Sequence, residues 1–518
     1  MLRWSLRHRL ATLGAAIAIF VGSVMAVPLL GTEFVPQADF SQSSVAFNTP
    51  VGSSLETTEA KARQIQAILS AMPEVRYSTA TVNAGASRGK IYGSVAIRWV
   101  DRHERDASAQ ELSARLRQRL ADIPGIVVTH VGVGESVGGE NKQISFSLLG
   151  PDQAELERLN TQALAALRGI PGLVDLDSSA KPDNPNVVLD VNRQAAAALG
   201  LGVAPLASAL RTMVAGETVG NWRAPDNETY DVKVRLPLAL RNTPEDLARI
   251  PLVATQNEDG SPRIVRVNQV AQIRESTGAS QINRRALNRE VSITANAYGR
   301  SVGEVSADIT RVMQGIAMPP GYRYQFSGAT KDMQESFAYA VSALAMAIIF
   351  IYMILASQFK SFVQPLAIMT SLPLTLVGVV LALMLFGSSL SMFSVIGVVM
   401  LMGLVTKNAI LLVDFAIRAR SEHIGEDGLP AAALSRSDAL LAAARVRMRP
   451  ILMTTLAMIF GMVPLAFAFS EGSEQRAPMG QAVIGGLITS SLLTLVVVPV
   501  VYSYLDDGVL WLRRRWRR

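Results

Sequence analysis

The stretch GLVTKNAILLVDF, residues 403–415, sets Lys407 and Asn408 about sixteen residues into a long apolar run. A lysine at the centre of a bilayer costs about 2.5–3.5 kcal/mol on insertion scales and marks function by default. The blander account is snorkelling, which works near helix ends and poorly at mid-span. Asp414 shares its helix face, but at 1.5 Å per residue it lies about 10 Å further along the axis. There it is close to the basic end of the run, where a carboxylate is solvated. A second stretch, RVRMRPILMTTL, sets Arg447 and Thr454 seven residues apart on one face. Arg447 stands at the mouth of the run and Thr454 two turns inside. A threonine can simply bond its own helix backbone. Beside Lys407, it extends an inward column of polar groups that reads as a proton path.

Other chemistry finds little support. Cysteine is absent, so disulfides and thiolate sites are excluded, and the four histidines are scattered without pairing. The stretch GASRGKI, 85–91, has one residue too few between its glycines for a phosphate loop, and Ile91 stands where Ser or Thr would bind magnesium. GVGESVGG, 132–139, lacks the strand-to-helix setting of a dinucleotide site and reads as a linker. The methionines Met72, Met213 and Met313 fall on helix faces, as core residues do. These readings imply no cofactor, no metal and no ATP hydrolysis, hence no enzyme. Uphill work would draw on an ion gradient or another subunit.

The elements that must position Lys407 and Thr454 follow from hydropathy. A bilayer core about 30 Å thick needs about 20 apolar residues of helix. Six stretches qualify: 10–30, 337–355, 363–386, 392–417, 451–468 and 482–505. The first could instead be a signal peptide, although its apolar part is longer than a signal core. Basic residues cluster at the N-terminus, at Lys360, in the loop from Arg418 to Arg449, and in a tail with five arginines. Six spans put all of these on the cytoplasmic side, so the net charge of +7 reads as membrane topology and not as nucleic-acid binding. No other span carries an interior Asp or Glu. Lys407 is therefore either neutral or paired with a charge from another polypeptide.

Everything between spans one and two lies on the far side. It reads as a strand SSVAF, a helix over 55–72 with Ser53 and Glu56 as a capping box, strands VRYSTATV and GSVAIRWV, a helix with Leu112, Leu116, Leu120 and Ile123 on one face, and IVVTHV. That is the β-α-β-β-α-β, ferredoxin-like pattern. A second such unit starts with QISFSLL and LVDLD and resumes at VSITANAY and YRYQF. Its halves are separated by an insertion with two short helices, ending in a hairpin that turns near Gly278.

Several segments resemble the resistance–nodulation–division (RND) transporters, hydrophobe/amphiphile efflux branch: GTEFVPQADF, VVLDVNRQAAAALGL, ILASQFKSFVQPL, GLVTKNAILLVDFA, RMRPILMTTLAMIFGMVPLA and AVIGGLITSSLLTLVVVPVVYS. They span the chain, and they resemble the second half of a usual member. The resemblance implies a six-helix membrane bundle plus α+β periplasmic porter subdomains with an inserted docking domain. By residue, the implied division is a cytoplasmic N-terminus 1–9, a first transmembrane helix 10–31 and a porter subdomain 32–138. A second porter subdomain covers 139–185 and 283–330, around the docking domain 186–282. A five-helix bundle 331–506 and a basic cytoplasmic tail 507–518 complete it. It further implies that Lys407 and Thr454 form a proton relay with Arg447 at its cytoplasmic entrance; Asn408 and Asp414 are candidate supporting polar residues beside it. The aspartates that answer Lys407 and Thr454 would lie on the N-terminal half, and a docking hairpin would run through Arg274, Gly278 and Ile282. The implied protein is an inner-membrane, proton-driven pump, trimeric, with a periplasmic adaptor (membrane fusion) protein and an outer-membrane channel as partners. The alternative is a non-transporting half-pump or scaffold. One departure stands out: VNAGASRGKIYGS, 82–94, has only Tyr92 where multidrug members carry several phenylalanines, and no heavy-metal methionine set is evident.

Overall fold

A computed structural model describes residues 2–83, 89–133, 142–256, 261–278, 281–420, 423–424, 430–431 and 434–516. Most of the loop-like stretch 85–91 and of the linker 132–139 therefore lies outside the described residues. The chain begins with α1 (Leu2–Arg7) and α2 (Arg9–Ala26), the latter the first of six helices long and apolar enough to cross a membrane.

The first α/β unit runs β1 (Gln42–Asn48), α3 (Leu55–Ser70), β2 (Val75–Val82), β3 (Tyr92–Trp99), α4 (Ala109–Leu120) and β4 (Val127–Gly132). Its antiparallel sheet has the order β2-β3-β1-β4. The period-2 pattern of β1 turns Val45 and Phe47 inward, against Ile65 and Leu69 of α3 and Leu112 and Leu116 of α4. Full burial of each such side chain contributes about 1.5–3 kcal/mol. Trp99 is buried with its Nε1 donating to Ser43 Oγ at 2.8 Å, so its polar atom is satisfied. The cap of α3 is Ser54, one residue later than the sequence suggests. Gly52 takes φ +91 and a Pro50–Ser53 turn delays the helix.

The second unit opens with β5 (Ile144–Gly150), α5 (Gln153–Leu167) and β6 (Leu173–Ser178). The chain then enters a separate compact unit, Lys181–Ile282. This contains β7 (Asn184–Val191), α6 (Arg193–Ala198), α7 (Val203–Leu210), β8 (Glu217–Arg223), β9 (Thr229–Val234), α8 (Pro244–Arg249), β10 (Pro251–Gln256), β11 (Pro262–Arg266), α9 (Val267–Val270) and β12 (Ala271–Gly278). Four short helices thus replace the two expected. The strands form three two-stranded sheets, and Leu206, Ile250, Leu252, Val267 and Val270 fill the core. Among the described residues, Arg274, Gly278 and Ile282 do not form the expected hairpin. Residues Ala271–Gly278 pair antiparallel with Asn184–Val191, Gly278 opposite Asn184, and Arg274 Nε reaches Asp190 at 2.6 Å. The reason is connectivity: an insertion leaves and re-enters its host at neighbouring points, so its first and last strands meet and pair.

The host unit resumes with β13 (Asn283–Arg285), β14 (Asn288–Ala297), α10 (Val302–Gln314) and β15 (Arg323–Ser327). The true hairpin is β13–β14, turning at Ala286 and Leu287, both at positive φ. The sheet order is β13-β14-β5-β15, with β6 also on β14, so the two separated halves complete one sheet.

The remaining helices are α11 (Gly328–Phe359), α12 (Gln364–Met369), α13 (Ser371–Phe386), α14 (Met392–Ala419), α15 (Arg436–Ala466) and α16 (Ala477–Trp516). The fifth apolar helix starts well before residue 451, because Ser435 caps it and Pro450 lies within it. Helices α13, α14 and α16 form the packed centre through Leu383, Leu401, Val405, Val483 and Leu487. At Gly378 a Cβ would sit 2.1 Å from Gly485 O, so small residues let α13 and α16 approach backbone to backbone. At the other extreme, α11 and α15 expose Ile349, Phe350, Met453 and Phe460. The basic-side ends are tied together: Arg9 meets Asp507 at 2.8 Å, Arg420 meets Asp506 at 3.1 Å, and Arg436 contacts both aspartates.

Candidate functional site

Helix α14 begins at Ser391, which with Ser394 forms a capping box, and runs unbroken past Lys407. Its inward face is set by Leu401, Val405, Leu412 and Ala416, all buried. Ile396, Met400, Gly403 and Lys407 recur at helical spacing on the opposite face, which is exposed. Lys407 therefore projects outward from this chain's own helix packing, and not into its interior as the sequence suggests. Asn408, one position round, is buried, and its Nδ2 has no hydrogen-bond partner among the described residues. Thr454 is also exposed, its Oγ1 donating to Pro450 O and Ile451 O of its own helix, both at 3.1 Å. Arg447 turns toward α14, its guanidinium 5.5 Å from the Phe415 ring centroid, and its buried Nε lacks a partner among the described residues. Asp414 pairs with Arg418 at 2.9 Å. Among the described residues, Lys407, Asn408, Asp414, Arg447 and Thr454 form no hydrogen bond or ion pair with one another. Arg274, Gly278 and Ile282 belong to the separate unit Lys181–Ile282 and its edge.

Two links carry the membrane helices into the α/β units. Helix α11 follows β15 with no residue between them, so a span is joined directly to the second sheet. In the connection from α15 to α16, Glu471 Oε1 accepts from Ser41 Oγ at 2.8 Å, at the root of β1. Beside it Asp39 pairs with the buried Arg105 and accepts the Ala109 N–H at 2.8 Å. Burial pushes the Asp39 carboxyl up, but the hydrogen bonds from Arg105, Ala109 and Ser41 more than offset it and hold it below the usual range.

A polar clasp joins the two α/β units. Asp175 of β6 is 3 % exposed and takes φ +55, a conformation aspartate tolerates. Arg117 of α4 reaches it with Nε at 2.8 Å and Nη2 at 2.9 Å. Asn296 Nδ2 of β14 donates to the same carboxylate at 2.8 Å, and the Val131 N–H does so at 3.3 Å. Burial raises the Asp175 pKa, yet the Arg117 hydrogen bonds and charge, with Asn296 and Val131, bring it below its ordinary value. His130 of β4 sits beside it, Nδ1 3.0 Å from Asn296 Nδ2, with a buried, unpartnered Nε2. Burial lowers its pKa to about 4; Asp175 opposes the shift, while Lys142 and Arg117 add to it. Arg117, His130 and Asn296 line a cavity of about 110 Å³ that Phe34, Phe40 and Val133 close on the apolar side. The one trace of this clasp in the sequence is Asp175, one of two aspartates in the strand LVDLD. Its partner lies 58 residues away in another unit.

Comparison with known proteins agrees with this architecture. Residues 1–506 match the AcrB/AcrD/AcrF family model. The chain is similar to the multidrug resistance protein MdtC of Edwardsiella ictaluri, 31% identical over 525 residues, covering 100% of this chain and 49% of that protein. The MdtC of Cronobacter sakazakii is 32% identical over 521 residues, with 99% and 49% covered. A crystal structure of a heavy metal efflux pump superposes with a TM-score of 0.82 at 26% identity, covering 97% of this chain and 52% of that one. The chain thus spans about half the length of the curated relatives it matches. Its six apolar helices and large soluble units fit a multi-pass protein of the inner membrane. By this match over nearly its whole length, the chain belongs to the AcrB/AcrD/AcrF family of RND efflux transporters.

Proposed function

We propose that this chain supplies the C-terminal half of a proton-motive-force-driven pump that exports hydrophobic or amphiphilic compounds across the cell envelope. The observation that carries the reading is Lys407, mid-span on an exposed apolar face and, among the described residues, without an ion pair. A cation there costs about 2.5–3.5 kcal/mol unless a carboxylate answers it. The N-terminal half of the pump, on this or a partner polypeptide, would present that carboxylate to the Ile396–Met400–Gly403–Lys407 stripe. Protonation of the carboxylate would release Lys407 and let α14 shift. Arg447 and Thr454 would lie along the proton's route, with Arg447 stacked on Phe415 of the moving helix.

In this reading the two β-α-β-β-α-β units are ferredoxin-like porter subdomains and the insertion is a docking domain. The direct β15–α11 junction and the Glu471–Ser41 contact would convert helix shifts into opening of the cleft between porters, against the Asp175 clasp. The pump would work as a trimer with a periplasmic adaptor and an outer-membrane channel. The test is Lys407→Ala in the complete pump reconstituted in liposomes, following dye export and substrate-dependent proton flux together. Both should fall to background while the assembly persists. Proton-coupled export at the parent rate would overturn the proposal.

A further inference from the structure

A second cavity, about 1030 Å³, opens where the far-side ends of α2, α13, α15 and α16 meet the N-termini of α4 and α10. Its lining contains four glutamates, Glu33, Glu111, Glu304 and Glu474, against one basic residue, Arg300. Arg300 is engaged by Asp308 at 2.8 Å and Glu304 at 3.5 Å, and Glu111 is held in the α4 capping box. That leaves Glu33 and Glu474 as the lining carboxylates with neither an ion pair nor a capping role among the described residues. Two oxygens here are buried without a donor among the described residues: Glu474 Oε2, and Oε1 of Gln481, a residue 6 % exposed whose Nε2 donates to Ala466 O at 3.1 Å. Buried acceptors without donors carry a desolvation penalty that a donor-bearing ligand removes.

The position of Glu33 is fixed on both sides. Its N–H donates to Leu390 O at 3.1 Å, and Thr32 O accepts from Gly303 N at 2.8 Å. A Cβ at Gly303 would lie 1.7 Å from Thr32 Oγ1, so glycine permits this close approach. Burial raises the Glu33 pKa, opposed by a hydrogen bond from Ser389. The opposite wall is apolar, with Leu29, Leu383, Phe386 and Phe467. Phe386 and Phe467 meet edge to face at 5.6 Å, both exposed toward the level where a bilayer would end.

We propose that this vestibule binds the ammonium head of an amphiphile through Glu33, Glu474 and Gln481, with its alkyl chain against Phe386 and Phe467. The inference deepens the export reading and rests on it for the ligand's fate, although binding is separable from transport. Two sources share this chemistry: the headgroup of an aminophospholipid, and a free amphiphilic amine.

The experiment titrates dodecylammonium, dodecyl sulfate and dodecyl maltoside by calorimetry into the full chain, with whatever copurifies, in nanodiscs of phosphatidylglycerol. Dodecylammonium should bind saturably, and Glu474→Gln and Gln481→Leu should each weaken it about tenfold. Dodecyl maltoside should be unaffected, and Glu59→Gln, on the exposed side of α3, should match the parent. Far-ultraviolet dichroism and elution volume verify that each variant is folded. Parent-like dodecylammonium affinity in both folded variants, or equal affinity for dodecyl sulfate, overturns the proposal. Adding phosphatidylethanolamine to the nanodiscs separates the sources: competition with dodecylammonium identifies the lipid headgroup, and no competition identifies the free amine. A pump that exports but shows no such binding refutes this inference alone. Binding without export refutes the proposed function alone.

Discussion

Asp175→Asn separates the charge of the clasp from its shape. Asparagine has nearly the same volume and tolerates the αL backbone at φ +55, so the substitution adds little strain. What it removes is the counter-charge to Arg117, whose side chain is 25 % exposed and makes both of its Asp175 contacts at 2.9 Å or less. It also sets an NH₂ group among donors from Arg117, Asn296 and Val131. Removing one partner of a buried pair costs 3–5 kcal/mol. Because the guanidinium keeps some water, the lower end applies, about 3 kcal/mol. Hydrogen exchange reads this locally, since the clasp joins two units within a chain that need not unfold in one step. Amides of β4 and β6 should exchange about 100-fold faster in the variant, 1.4 kcal/mol being a factor of ten, while the core of the separate unit Lys181–Ile282 is unchanged. The double variant Arg117→Leu/Asp175→Asn should be less destabilised than the sum of the singles. A change below threefold in the single variant, or strict additivity, would refute the assignment of Asp175 as the charge that closes the clasp.

Two further outcomes follow from the same geometry. His130 has a folded pKa of about 4 against an ordinary 6.5, so it stays neutral when folded while the unfolded chain takes up a proton. Its contribution is therefore fully present above pH 6.5 and lost as pH falls toward 4, up to about 3 kcal/mol; denaturant midpoints should fall across that window, and His130→Asn should flatten the slope. Gly378→Leu would drive a side chain into Gly485 O, which already lies 2.1 Å from a Cβ position. It should cost about 3 kcal/mol, the upper end for overpacking, read as a lower melting temperature of the purified protein, and an unchanged melting temperature would show that α13 and α16 do not pack this closely.

What the sequence could settle were features with a local or periodic cause. Apolar runs of bilayer length specified the six spans, and the i, i+4 spacing of Leu112, Leu116 and Leu120 marked the buried face of α4. Strand and helix order gave the β-α-β-β-α-β pattern, because alternation and helical periodicity are written residue by residue. Lys407 was conspicuous for the same reason, as a single charge in an apolar run. Which way Lys407 faces was not legible, since that depends on which neighbours α14 packs against; α16 and α13 took the other side. The pairing of β12 with β7 was hidden because closure of an insertion is a property of the host's connectivity, and a turn signal near Gly278 says nothing about it. The Asp175–Arg117 contact and the Glu33–Glu474–Gln481 vestibule unite groups from distant segments, and only tertiary packing, by excluding water around them, decides that their charges and unpaired oxygens matter.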